Sequence, residues 1–131
     1  MNVGPKGRVV WLKTGFGRHY MADLYLCQNA LWEDPGELEA VLNRLTTAEN
    51  IHTTAWRFET SNLRGMRISG EINDASYIVI QIFPEQNFLT VDLFSWLPQL
   101  DLQSFSESLL NTFAPQVVAE ETKIRAEHLF K

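Results

Sequence analysis

The run Tyr77-Ile78-Val79-Ile80-Gln81-Ile82-Phe83, closed by Pro84, constrains this chain more than any other segment. β-Branched and aromatic residues fill it, and they suit a pleated sheet surface. Proline lacks the N–H that would continue the ladder. This is the strongest strand in the chain, and weaker ones surround it. Residues 51–58 carry Ile51, Thr53, Thr54, Trp56 and Phe58, and residues 65–72 read as the next strand, before an Asn73-Asp74 turn. Residues 88–95 form another, with Asp92 in apolar company. Tyr20 to Cys27 alternates, with Tyr20, Ala22, Leu24 and Leu26 expected on one side. Val117, Val118 and Ile124 supply a last strand, and Val9 to Leu12 a short one.

Two segments carry helical spacing instead. Asp34 is a good N-cap, Pro35 suits the first helical position and Glu37 stands where a capping-box acid belongs. Leu38, Val41, Leu42 and Leu45 then line one face. The second helix starts near Asp101, presents Leu102, Phe105, Leu109 and Phe113, and stops at Pro115. Helices are therefore expected at 34–49 and 101–113. The order β-α-β-β-β-β-α-β implies an α+β two-layer sandwich, with a mostly antiparallel sheet and both helices on one face. Residues 1–16 read as an N-terminal arm punctuated by Gly4, Pro5, Gly7 and Gly15, and residues 17–131 as a single domain.

Composition narrows the function classes. The 131 residues suffice for one core, and 45% hydrophobic content with 21% charged describes a globular chain. A net charge of −5 with scattered basic residues argues against nucleic acid as a partner. No apolar run is long enough to span a bilayer, and residues 1–7 contain no signal core, so a cytoplasmic location is expected. One cysteine, Cys27, excludes an internal disulfide and is expected to pack as a small hydrophobe. Three histidines without ligand spacing argue against a metal site.

Ordered blocks go further. Gly17-Arg18-His19, Ala22-Asp23-Leu24 with Cys27, Asp34-Pro35, Ala75 through Glu85, and Val91-Asp92-Leu93-Phe94 resemble the bacterial S-adenosylmethionine decarboxylases, in that family's order and nearly its spacing, over roughly residues 17–125. The resemblance implies a place in the polyamine (spermidine) biosynthesis family. It also implies an unusual chemistry. The chain cuts itself at a serine through an ester, and elimination leaves a pyruvoyl group that serves as electron sink for decarboxylation.

By position Ser76 matches the pyruvoyl-forming serine, and Ser69 matches the family's second processing serine if a one-residue gap is allowed. Around them the pattern departs. The residue before the serine is normally Glu and is Ala75 here; the residue after is normally His and is Tyr77. The histidine that assists processing falls on Gln81, and the proton-donating cysteine on Trp96. Glutamine cannot shuttle a proton near neutral pH, whereas Tyr77 retains a phenol. The expected function is a homologue without self-processing or pyruvoyl chemistry, with no cofactor, that acts as a ligand-binding or regulatory protein. The alternative is an active pyruvoyl-dependent decarboxylase of S-adenosylmethionine or another amino acid, cut between Ala75 and Ser76, with the pyruvoyl carried at Ser76.

Trp56 and Phe58, with Glu85 and Asp92, are the candidate ligand-binding residues, for an adenosyl or amine compound. Each has a plainer reading. Ser76 ends a hairpin turn by default. Trp56 and Phe58 are ordinary strand core, and Asp92 is a satisfied structural carboxylate. Arg18-His19 is a surface or interface pair. Exposed aromatics, sheet edges and the apolar run in the arm point to a homodimer.

Overall fold

A computed structural model describes residues 9–11, 17–29, 31–48, 53–60, 65–72, 76–96, 100–125 and 128–130. In chain order the elements are β1 (Val9–Trp11), β2 (Gly17–Cys27), α1 (Pro35–Ala48), β3 (Thr53–Thr60), β4 (Met66–Ile72), β5 (Ser76–Phe83), β6 (Phe88–Ser95), α2 (Leu102–Phe113), β7 (Pro115–Arg125) and β8 (His128–Phe130). The main sheet has six strands in the order β3-β4-β5-β6-β2-β7, and every pairing is antiparallel. β1 from the arm pairs with β8 at the far end of the chain. The expected Asn73-Asp74 turn lies outside the described residues. No helix among the described residues is long and apolar enough to cross a membrane.

Both helices start where a carboxylate caps them. Asp34 Oδ1 accepts from the N–H groups of Gly36 and Glu37, and Asp101 Oδ1 accepts from that of Ser104. Leu38, Val41, Leu42 and Leu45 of α1 are buried, as are Leu102, Phe105, Leu109 and Phe113 of α2. Most of them join one core cluster with Tyr20, Leu24, Ile68, Ile78, Ile80, Ile82, Leu89, Val91 and Leu93 from the sheet. The helices thus share one sheet face, and the strand period of two leaves the other face without them.

One expectation fails. Leu26 does not continue the buried set of Tyr20, Ala22 and Leu24; it is 48% exposed, and Cys27 is buried instead. The cause is a bulge. The N–H groups of Leu26 and Cys27 both point at the carbonyl of Asn87, and Leu26 takes φ of 53°. The left-handed residue turns the chain over so that Cys27 faces the core, while pairing with β7 resumes in the same register, Tyr25 opposite Val117 and Cys27 opposite Pro115. Cys27 therefore packs as the small hydrophobe expected, and its thiol is pushed up to about 11 by burial.

Candidate functional site

Ser76 is the first residue of β5, directly opposite Ser95 at the end of β6. Its hydroxyl donates to Ser95 Oγ at 2.7 Å. Both residues lie on the helix-covered face, 7% and 1% exposed. Arg18 of β2 continues the row beyond Ser95. Its guanidinium donates to the carbonyl of Leu100 at 2.8 Å, which ties the sheet end to the start of α2. Desolvation lowers its pKa, and the Asp101 carboxylate partly offsets that.

The residues aligned with the family's processing set are elsewhere. Tyr77 and Gln81 follow Ser76 by odd steps in β5, so their side chains leave from the helix-free face. Ser69 of β4 is opposite Val79 on that same face. Among the described residues, Ser95 is the one side-chain partner of the Ser76 hydroxyl. Two neutral hydroxyls cannot provide a base for ester formation or for elimination. No ionisable side chain among the described residues hydrogen-bonds the Ser76 hydroxyl directly.

The helix-free face carries a different cluster at the same end of the sheet. His19 Nε2 and Asp92 Oδ1 are 3.0 Å apart, linking β2 to β6. Phe94 is the hub of the aromatic contacts. His19 meets it edge-on, Tyr77 stacks on it at 5.7 Å between centroids, and Trp96 meets it edge-on at 4.9 Å. Trp96 also lies flat over Gly17. A Cβ there would come within 2.6 Å of the indole, so glycine is required for this approach. Asp92 is thus a half-exposed carboxylate with a histidine partner.

An open cavity of about 560 Å³ borders this cluster, lined by Trp56, Arg57, Ser69, Gly70, Glu71, Tyr77 and Ile78. Trp56 Nε1–H donates to Asn43 Oδ1 of α1 at 2.7 Å, which fixes the indole. Trp56 and Phe58 both pack against the core, and of the two only Trp56 also reaches this cavity. Glu85 is nine residues beyond Ser76, in the turn after the far end of β5, exposed and away from this cluster. Ser69 and Tyr77 therefore line this cavity from the helix-free face, while Trp56, its indole held by α1, and Ser76 belong to the helix-covered side. No group of three or more potential metal-ligating side chains occurs among the described residues.

One participant and one pairing were missed in the sequence. Ser95 becomes visible only once the β5–β6 register opposes it to Ser76. His19 and Asp92 were each noted, but nothing in a linear reading joins them.

Residues 18–126 match the family model described as S-adenosylmethionine decarboxylase. The fold also superposes on the crystal structure of the adenosylmethionine decarboxylase from Aquifex aeolicus VF5, with a TM-score of 0.70. That likeness covers 86% of this chain and 92% of that one at 16% identity, and it carries the fold alone. With a family match across nearly the whole domain and an architecture that agrees with it, this chain belongs to the S-adenosylmethionine decarboxylase family.

Proposed function

We propose that this chain is a family member that neither cuts itself nor carries a pyruvoyl group, and that it binds an adenosyl or amine compound as a regulatory or ligand-binding homologue. The observation that carries this reading is the buried Ser76–Ser95 hydroxyl pair. Self-cleavage needs a proton acceptor for the attacking hydroxyl and a base for the elimination. Ser76 has a hydroxyl partner instead, and Ala75 and Gln81 offer no titratable group where the family has glutamate and histidine. Losing a positioned general base costs roughly 10²–10⁴-fold in rate, which would leave an already slow reaction negligible. Trp96, at the position of the family's proton-donating cysteine, packs over Gly17 and offers no acidic proton.

The ligand reading draws on the cavity lined by Trp56 and Tyr77, where the exposed Tyr77 ring stands with Arg57 and Glu71. The helix-free face, where Tyr25, Tyr77 and Trp96 are 39%, 50% and 39% exposed, supports a contact between two copies. The alternative, an active pyruvoyl-dependent decarboxylase cut between Ala75 and Ser76, draws on one observation: the Tyr77 phenol borders that cavity beside Ser76 and is a possible proton donor.

Native and denaturing mass spectrometry of freshly purified protein test the reading together. The expected result is one polypeptide near 15.1 kDa in a two-copy assembly. Fragments 1–75 and 76–131, the second blocked to Edman chemistry, would overturn the first part. A monomer at micromolar concentration would overturn the second.

A further inference from the structure

We propose that the ribbon formed by β1 and β8 is a strap that closes over the aromatic cluster of Tyr77, Phe94 and Trp96 on its own molecule. The ribbon pairs Val9 with Phe130, Val10 with Leu129 and Trp11 with His128. Neither strand lies within residues 18–126, the stretch that matches the family model. Five of its six residues are apolar, His128 being the exception. A two-stranded ribbon encloses no core and is marginal alone in water. Its apolar groups gain by covering another apolar surface.

The topology brings one such surface to it. β1 precedes Gly17 and β8 follows Arg125, the residues of the last pair between β2 and β7. The ribbon therefore leaves the sheet at the end where Phe94 opposes both His19 and Tyr77. There Tyr77 is 50% exposed and Trp96 39%, so the structure holds the strap open. The other exposed large apolar residues, Tyr25, Leu26 and Val117, stand at the opposite end, where Tyr25 pairs with Phe88 and Val117. The register is offset by three residues between the β2–β7 ladder and the β1–β8 ladder. Offsets of this kind bend a ribbon out of line with the sheet it continues. Tyr77 also lines the open cavity beside the cluster, so a closed strap narrows access to it. That consequence, unlike the strap itself, rests on the ligand reading of the cavity.

Two tyrosines make the test internal. Tyr77 stacks on Phe94 at one end of the helix-free face, and Tyr25 stacks on Phe88 at the other. Tyr25 is the less exposed of the two, at 39%. Without a strap, nitration by tetranitromethane, read by peptide mass spectrometry, should modify Tyr77 at least as fast as Tyr25. A strap closed about nine-tenths of the time slows Tyr77 about tenfold and leaves Tyr25 unchanged. The full chain is expected to show that protection at every protein concentration. Removal of residues 1–12 is expected to abolish it. So is Val10→Asp/Trp11→Asp, which keeps the full length and places a charge on each side of β1. Tyr20, 2% exposed, stays unreactive wherever the sheet is folded. The proposal is overturned if Tyr77 reacts as fast as Tyr25 in the full chain, or if its protection survives either variant. It is also overturned if protection extends to Tyr25 and grows with protein concentration, the pattern of a second copy lying on the same face. None of these readouts depends on the state of Ser76 or on a ligand.

Discussion

On the helix-covered face of the sheet, Ile68, Ile78, Ile80, Ile82, Leu89 and Leu93 are all 0% exposed. One residue further along the same strands, Val79, Gln81, Thr90 and Asp92 are only half-buried. The two faces solve the polar problem differently as well. Ser76, shut under the helices, donates to the buried Ser95. His19 and Asp92, on the face without helices, pair while still reaching water. Stability should therefore be concentrated on the first face and contact chemistry on the second.

The contrast is most exposed to refutation in the aromatic residues. Phe105 is fully buried among the helices, and its replacement by Ala is expected to cost about 3–5 kcal/mol. Phe94→Ala on the other face should cost about 1 kcal/mol, within the common range for a single substitution. Urea unfolding reads both, and equal losses would break the distinction.

A smaller effect tests the polar pair. Ser95→Ala leaves the Ser76 hydroxyl without its acceptor, at about 1–3 kcal/mol. Changing both serines to alanine should cost less than the sum of the two single changes. If the effects of Ser76→Ala and Ser95→Ala simply add, the 2.7 Å hydrogen bond carries no coupling.

The smallest effect sharpens the boundary of the covered face. Tyr20 is 2% exposed and donates to Glu120 at 2.6 Å. Tyr20→Phe should cost about 1 kcal/mol at neutral pH. Burial, then the hydrogen bond to Glu120, raises the phenol above its ordinary value. A raised folded pKa stabilises fully below the unfolded value, and that contribution fades as pH rises above about 10. Wild type should thus lose stability more steeply than Tyr20→Phe over that alkaline window. Parallel denaturation midpoints across it would refute the assignment.

Much of the fold could be read from the chain because its signals are local. Asp34 and Asp101 cap their helices, Pro84 closes β5, and the α1 and α2 stripes are the ones that are buried. Leu26 was misplaced because its fate depends on the carbonyl of Asn87, distant in sequence, which turns one strand step into a bulge. The candidate site was only half legible for the same reason. Ser76 could be found by position, but its partner Ser95 depends on register, as does the contact of His19 with Asp92.

The strand order has a consequence for how the molecule is made. β3, β4, β5 and β6 are sequential neighbours and can pair as each leaves the ribosome. β2 emerges before all of them, yet its slot is between β6 and β7, and Gly17 pairs with Arg125. Such a non-local closure is slow, because the loop must be ordered before the contacts reward it. Until β7 is synthesised, the side of β2 that should meet it has no partner from this sheet. A nascent chain stopped after α2 would hold a five-stranded sheet with β2 as a bare edge, the form most prone to join a neighbour instead of itself.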